Sequence, residues 1–453
     1  MKRLFGTDGI RGAAGEFPLD EATVTRLGRA LPHVLKAGDG RSLRVVTGRD
    51  TRESSPAIEA ALRRGIETAG GRADYGGVLS TPAVACVARE LRYDAGIVVS
   101  ASHNPYHDNG IKIFSGEGYK LPDTVEIQIE AEVLEGTASA GTAITTGEGG
   151  GPGVELDIAH RYLDYLRGTI APGTSFSGWT IVLDCANGAV STLGPELFES
   201  LGARVITLAA APDGRNINAG CGTLHPEALA AAVVRCGARL GLAFDGDADR
   251  CLLVDGRGRV LDGDYIVYLA ATDLKRHGRL AGNTVVGTVM TNLWLEHALA
   301  AEGIRIVRAP VGDKYVLEEM QAGGFVLGGE QSGHVIFLER ATTGDGLLTG
   351  LQIVHLLART GIDLATWSAS VKPCPQILIN IPVRERPPLD AHPRIGPAIR
   401  AEEQWLGRSG RLVVRYSGTE PKARIMVEAE SRRAMEECAE RLRRLIQQEI
   451  GRE

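Results

Sequence analysis

The sequence predicts an α/β protein: three similar mixed α/β domains followed by a smaller α+β C-terminal domain, arranged around a central cleft. Three observations carry that expectation. Short apolar runs rich in valine and isoleucine alternate with amphipathic stretches of helical period. The order strand–helix–strand–helix–strand comes three times, and each pass ends in a polar loop. After about Thr366 the alternation gives way to two extended segments and a long charged helix.

The first pass begins with "LRVVTGRDTR" (Leu43–Arg52), a strand and turn, followed by the helical stretch "SPAIEAALRRGIETAG". The strand region "ADYGGVLSTP" and the helix "AVACVARELR" lead to a buried strand, "AGIVV" (Ala95–Val99), and the loop "SASHNP". The second pass runs "TIVLDCANGA", a helix around "GPELFESLG", "ARVITLAAAPDG", the helix "HPEALAAAVVRCG" and "LGLAFDGDADR". The third runs "NTVVGTVMTN", a helix around "LWLEHALAAEG", "IRIVRAPVGDK", a helix around "VLEEMQAGG" and "FVLGGEQSGH". The Gly-rich stretch Glu135–Glu155 suits a linker or an exposed excursion. "PCPQILINIPV", "GRLVVRYSGTEPKARIMVEA" and a helix from about Arg432 make the last domain. The expected domains are 1–150, 151–252, 253–366 and 367–453.

Composition narrows the function. The chain has 453 residues, 43% hydrophobic and 23% charged, enough to bury several cores. A formal net charge of -6 excludes a protein built around nucleic acid or an anionic membrane, and 5% aromatic residues leave little for base stacking. The N-terminal "MKRLFGTDGIRG" lacks the apolar stretch of a signal peptide, and no run reaches the ~18 apolar residues of a membrane span. Seven scattered cysteines form no CxxC pair, so no disulfide framework or zinc site is expected, and a cytoplasmic location is.

The loops carry the chemistry. In "SASHNPYHDNGIK" (Ser100–Lys112), Ser102 is the candidate nucleophile, with His103 beside it and Lys112 downstream. The same residues suit a turn at Asp108–Gly110 with serines capping a helix. No GxSxG elbow is present, which disfavours an α/β-hydrolase. "DGDADR" sets Asp245, Asp247 and Asp249 at alternating positions, so an extended loop would point three carboxylates one way. An all-oxygen set of that kind suits Mg²⁺, and Arg250 and Gly256 rule out an EF-hand frame. "GGEQSGH" offers Glu330, Ser332 and His334 for sugar hydroxyls, a weak signal alone. In "RYSGTEP", Arg415, Ser417, Gly418 and Thr419, with Lys422 and Arg424 behind, make either a phosphate cradle or a helix start. Arg11 sits in the Gly-rich turn "GTDGIRG". There is no Walker A sequence and no dinucleotide fingerprint.

In their order, "GTDGIRG", "SASHNP", the Asp-x-Asp-x-Asp-Arg loop, "GEQSGH" and "SGTEP" resemble the α-D-phosphohexomutase superfamily essentially end to end. The resemblance implies three similar α/β domains and a smaller fourth one. It implies that Ser102 is carried as a phosphoserine and that Ser102, through a phosphoryl oxygen, holds Mg²⁺ together with Asp245, Asp247 and Asp249. Glu330 and Ser332 would meet the sugar. Arg415, Ser417, Gly418, Thr419 and Arg424 would hold the phosphate that is not reacting. Arg11, His103, Lys112 and Arg250 would surround the transferring group, with Lys112 and His103 the candidate general bases. Gln331 and "VGDKY", containing Asp313, resemble the glucosamine branch of the superfamily. That branch implies conversion of glucosamine 6-phosphate to glucosamine 1-phosphate through a bisphosphate, feeding UDP-N-acetylglucosamine synthesis. One departure is Ala248, where the family's metal loop has glycine. If that position needs φ > 0, alanine costs about 1 kcal/mol or more.

The alternatives are the phosphomannomutase/phosphoglucomutase branch, a metal-dependent sugar phosphatase and a non-catalytic sugar-phosphate binding protein. The partner expected is a small hexosamine phosphate, with no nucleic acid and no membrane. The sequence leaves the oligomeric state open, a homodimer included.

Overall fold

The computed structural model describes residues 4–6, 8–35, 40–135, 153–417 and 421–452. They form two compact units, Met1–Thr288 with Val307–Ser368, and Val289–Ile306 with Ala369–Glu453.

The first unit holds three sheets. β1 (Phe5–Gly6), β2 (Gly9–Ala13), β3 (Arg44–Arg49), β4 (Arg72–Val78), β5 (Ala95–Val99) and β6 (Asp108–Ser115) lie in the order β1-β2-β6-β5-β3-β4. β7 (Thr180–Asp184), β8 (Arg204–Leu208), β9 (Leu240–Phe244), β10 (Cys251–Asp255) and β11 (Val260–Leu261) lie in the order β11-β10-β9-β7-β8. β12 (Thr284–Thr288), β13 (Arg305–Ala309), β14 (Leu327–Gly329) and β15 (Val335–Phe337) lie in the order β13-β12-β14-β15, with β13 entering this unit at Val307.

One permutation runs through all three. The first strand of each repeat sits between the second and the third, and the fourth returns antiparallel beside the third. The inner parallel strands β3, β5, β7, β9 and β12 are buried almost throughout, which is why they read as continuous apolar runs. The helix Ser55–Thr68 opens on Pro56 and turns Ile58, Ala61, Leu62 and Ile66 into the first core. The helix Thr81–Glu90 is capped by Ser80, whose hydroxyl accepts from Ala83 N at 3.3 Å.

The strand–helix alternation agrees with the sequence reading, but the fourth strands were not anticipated. Asp108–Gly110 is the start of β6 rather than a turn, and Arg11 lies on β2, paired with Gly110, rather than in a turn. No helix follows the Ser102 loop, so the helix-capping alternative falls. Of the stretch expected as a linker, residues 136–152 lie outside the described residues. Its end pairs with β4, Tyr75 N donating to Val154 O at 3.0 Å.

The second unit contains the helix Leu293–Ala301 and a three-stranded antiparallel sheet of β16 (Gln376–Pro382), β17 (Gly410–Tyr416) and β18 (Lys422–Ala429), in the order β16-β18-β17. The helices Ile395–Leu406 and Arg432–Ile450 bury Ile395, Met435, Leu442 and Ile446 against Ile381, Ile425 and Val427. Buried Glu428 pairs with Arg411 at 2.6 Å and accepts the amide of Leu293, tying that helix to the sheet. Among the described residues, no helix is long and apolar enough to cross a membrane.

Candidate active site

Three loops of the first unit meet at one place, and each is the connection from third to fourth strand of its repeat. Ser102, between β5 and β6, has φ +52°, a left-handed conformation that costs an L-residue roughly 1–2 kcal/mol. The surroundings impose it. Arg52, 1% exposed, donates to Ser102 O at 3.0 Å, Asn104 O at 2.9 Å, Asp108 O at 3.0 Å and Pro105 O, while its Nε donates to Asp50 at 2.8 Å. Ser102 N donates to Ser100 Oγ at 2.9 Å, and Ser100 Oγ donates to Asp50 at 2.7 Å. Asn218 from the second repeat adds a bond to Ser102 O at 2.9 Å.

The three carboxylates expected as metal ligands do converge, one oxygen of each lying within 4.8 Å of the others. They do so through a tight turn rather than an extended loop. Ala248 N donates to Asp245 O at 3.0 Å, and Ala248 takes φ +53°, the strained conformation that its place in the sequence raised. Gly246 lets this turn touch the serine loop, since a Cβ there would lie 2.6 Å from Ser102 O. Gly346 does the same for the helix Gly346–Thr360, where a Cβ would lie 2.4 Å from Arg250 O.

Ser102 Oγ donates to Asp245 Oδ2 at 2.6 Å and lies 3.3 Å from His103 Nδ1. Lys112, projecting from β6, is 2% exposed and donates to Asp247 at 2.8 Å and Asp249 at 3.0 Å, with Asp8 at 3.2 Å. Burial works against its charge, but Asp247, Asp249 and Asp8 outweigh it and hold the ammonium well above its usual range. Burial, reinforced by Asp249 and Asp247, pushes Asp245 well up, while Lys112 and His334 overcome burial and hold Asp249 down. His103 falls to about 4, through burial and then Arg250 and Arg11. Arg11 reaches Ala101 O at 2.6 Å and Asp8 at 2.5 Å, and Arg250 Nε lies 3.8 Å from Asp249.

The third loop closes onto the second: Cys251 N donates to Gly333 O and Gly263 N to Gln331 O, each at 3.0 Å. Glu330 accepts from Gly312 N at 3.1 Å, and Ser332 Oγ is buried without a hydrogen-bond partner. His334 faces the metal loop rather than open space. Its Nε2 accepts from Gly344 N at 3.0 Å, and its Nδ1 lies 3.7 Å from Asp249. Asp313 opens the helix Asp313–Gly323 and pairs with Lys120, which also holds Asp8 at 2.5 Å.

Arg415, Ser417 and Arg424 belong to the second unit. Gly418 and Thr419 lie outside the described residues. Ser417 N donates to Lys422 O at 2.8 Å and β18 follows at once, so "RYSGTEP" joins two strands and is no helix start. Arg415 and Arg424 stand opposite each other on β17 and β18, and burial followed by Arg424 lowers the Arg415 pKa.

The sequence reading missed Asp8, Asp50, Arg52, Thr81, Lys120 and Asn218. Thr81 donates to Asp247 through its hydroxyl. Of these, only "GRDTR", a charged cluster at a strand end, carried a signal that could have been read.

The donor set fits a hard divalent cation. Asp247 Oδ1 and Asp249 Oδ1 are buried with no hydrogen-bond partner, a costly state that a cation relieves.

Models of the phosphoglucomutase/phosphomannomutase α/β/α domains I, II and III match residues 2–140, 160–258 and 262–374, and that of the C-terminal domain matches 378–445. A phosphoglucosamine mutase of Koribacter versatilis is 48% identical over 456 residues, covering 100% of this chain and 98% of its own. A phosphoglucomutase/phosphomannomutase family protein from Burkholderia thailandensis superposes with a TM-score of 0.80 at 25% identity, over 99% of this chain and 98% of that one. N-acetylphosphoglucosamine mutase of Aspergillus fumigatus, solved with GlcNAc-6P and magnesium, shares the fold at a TM-score of 0.69 and 18% identity, over 98% and 96%. With four domain matches in order and near-half identity along its whole length, this chain belongs to the phosphoglucomutase/phosphomannomutase family.

Proposed function

We propose that the protein interconverts glucosamine 6-phosphate and glucosamine 1-phosphate, using Ser102 as the phosphoryl carrier and a glucosamine bisphosphate as intermediate. The observation that carries this reading is the Ser102 hydroxyl, held 2.6 Å from Asp245 at the edge of a buried three-carboxylate cluster. In the forward direction the Ser102 Oγ–P bond breaks and a bond from phosphorus to the sugar O1 forms, the O1 proton leaving to a base. After the bisphosphate turns, the O6–P bond breaks, the 6-phosphoryl forms a bond to Ser102 Oγ, and O6 takes up the proton held by the base.

Asp245, Asp247 and Asp249, with a phosphoryl oxygen on Ser102, are the proposed Mg²⁺ ligands. The ion would supply charge stabilisation on the transferring phosphoryl group, the main demand of this chemistry. Arg11, Lys112 and Arg250 add positive charge on the same side, and His103 lines the serine hydroxyl. Ser332, whose buried hydroxyl has no protein partner, is free for a sugar hydroxyl, and Glu330 suits the substrate's 2-ammonium group. Asp313 and Gln331 support the glucosamine branch. Arg415, Ser417, Gly418, Thr419 and Arg424 are the proposed site for the phosphate at rest. Domain boundaries at 150, 252 and 366 are part of this reading, as is a reducing cytoplasmic setting, since all seven cysteines are free.

The test is a coupled assay on glucosamine, glucose and mannose 6-phosphates, with peptide mapping of the phosphorylated residue. The expected outcome is preference for the glucosamine substrate, phosphate on Ser102, and no turnover by Ser102→Ala. Better kcat/KM on mannose 6-phosphate would move the protein to the other branch, inorganic phosphate release would make it a phosphatase, and full activity of Ser102→Ala would sink the mechanism.

A further inference from the structure

We propose that a cavity away from the candidate active site binds a small organic anion, a phosphate monoester or carboxylate carrying an apolar body, on Arg340. The cavity measures about 480 Å³ and lies within the first unit, and none of its lining residues belongs to the site already described. It opens between the C-terminal end of the helix Ala159–Gly168 and the helices Gly263–Arg276 and Gly346–Thr360.

Its charges are unequal. Arg279, Arg340 and Arg359 face it, against the carboxylates of Asp273 and Glu339. Arg279 pairs with Glu339 and Arg359 with Asp273, which uses both acids. Arg340 is left half-buried, and its guanidinium makes no ion pair or hydrogen bond among the described residues. Burial followed by the neighbouring cation Arg279 weakens its hold on a proton by more than Tyr165 and Glu339 restore it. The two histidines do not supply the missing negative charge or compete for it. His277 accepts from Arg359 at 3.3 Å through Nε2, with Nδ1 2.8 Å from Asp273 O, and burial followed by Arg359 lowers the His355 pKa.

A partly desolvated guanidinium with a like charge beside it is stabilised by an anion, and its planar fork suits carboxylate or phosphate. The rest of the wall sets the ligand's second half. Ile170, Leu274, Val326, Phe337, Ile353 and Leu356 line the cavity, enough apolar surface for an aromatic or aliphatic group. Gln352, bonded to Thr169 at 2.8 Å, leaves a polar edge. Because the Arg340 main chain, not its side chain, accepts from Tyr165 and Arg89, the guanidinium can be exchanged without breaking the contact between repeats.

Calorimetric titration of the full chain with phenyl phosphate and with benzoate tests this and separates the two head groups. At least one probe should bind wild type in the millimolar range. Arg340→Gln should weaken that binding by roughly tenfold or more while leaving mutase activity and unfolding temperature unchanged. Arg340→Lys should retain part of it, and Arg11→Gln, at the proposed active site, should retain all of it. Failure of both probes to bind wild type, equal binding by Arg340→Gln, or loss that follows Arg11→Gln alone would each overturn the proposal.

Discussion

Arg52 fixes the backbone that presents Ser102, the proposed phosphoryl carrier, and bonds only to its main chain. One buried guanidinium satisfies four loop carbonyls and Asp50, and these contacts hold Ser102 in a left-handed conformation it would not otherwise keep. Removing it strands a buried carboxylate and several acceptors. Arg52→Ala is therefore expected to cost about 3–5 kcal/mol of stability, measured by denaturant unfolding. Arg52→Lys should fold but lose most kcat, because an ammonium cannot span the same carbonyls. Wild-type kcat in the lysine variant would remove Arg52 from this role. The contrast with Ser102 shows what the sequence makes legible. Hydroxyls and carboxylates clustered at strand ends announce themselves as chemistry. Arg52 and Asn218 act through main-chain oxygens, and no pattern of residue types marks which carbonyls a distant side chain will find.

At the scale of the element, the hairpin from β9 to β10 concentrates three acids on a turn that includes an alanine with positive φ. Its strain and repulsion are offset in part by Lys112, which bonds two of the three carboxylates, while one oxygen each of Asp247 and Asp249 has no hydrogen bond. Added Mg²⁺ should raise the unfolding temperature, by an amount equivalent to about 2.7 kcal/mol at a hundredfold excess over Kd. Asp247→Asn should shrink that shift and slow turnover, and excess chelator should abolish wild-type activity. A melting curve indifferent to Mg²⁺, with activity intact in chelator, would contradict the assignment. The acids were legible from their spacing, but the turn that gathers them was not. The reading of alternate residues on one side presumed an extended loop, and the antiparallel strand β10 that forces the chain to reverse is apolar enough to pass as core.

Across the whole molecule, three repeats with one strand permutation explain how loops distant in sequence come to share a site: each occupies the same topological position. Periodicity made the repeats visible in the sequence, whereas the antiparallel fourth strands were hidden, β6 because it opens on the polar Asp108–Gly110 and β10 and β15 because they are apolar enough to pass as core. The second unit is not a fourth copy. Its sheet sets two cations, Arg415 and Arg424, opposite each other beside the loop proposed to hold a phosphate. Arg415→Ala is expected to raise KM for the sugar phosphate by on the order of 10- to 100-fold, the loss of one charge-assisted hydrogen bond. Phosphate on Ser102 and Mg²⁺ binding should survive, because their proposed ligands lie in the first unit. An unchanged KM would move the phosphate cradle elsewhere.

The antiparallel return of every fourth strand also decides what moves. Each site loop is pinned at both ends by paired strands, Val99 with Ile111, Phe244 with Cys251 and Gly329 with Val335. Such short tethered loops have little room to follow a reacting group. In the proposed cycle it is therefore the sugar that turns while these loops hold still, and the hydrogen-bonded amides of Ser102 and Ala248 should exchange slowly with deuterium whether or not the bisphosphate is bound.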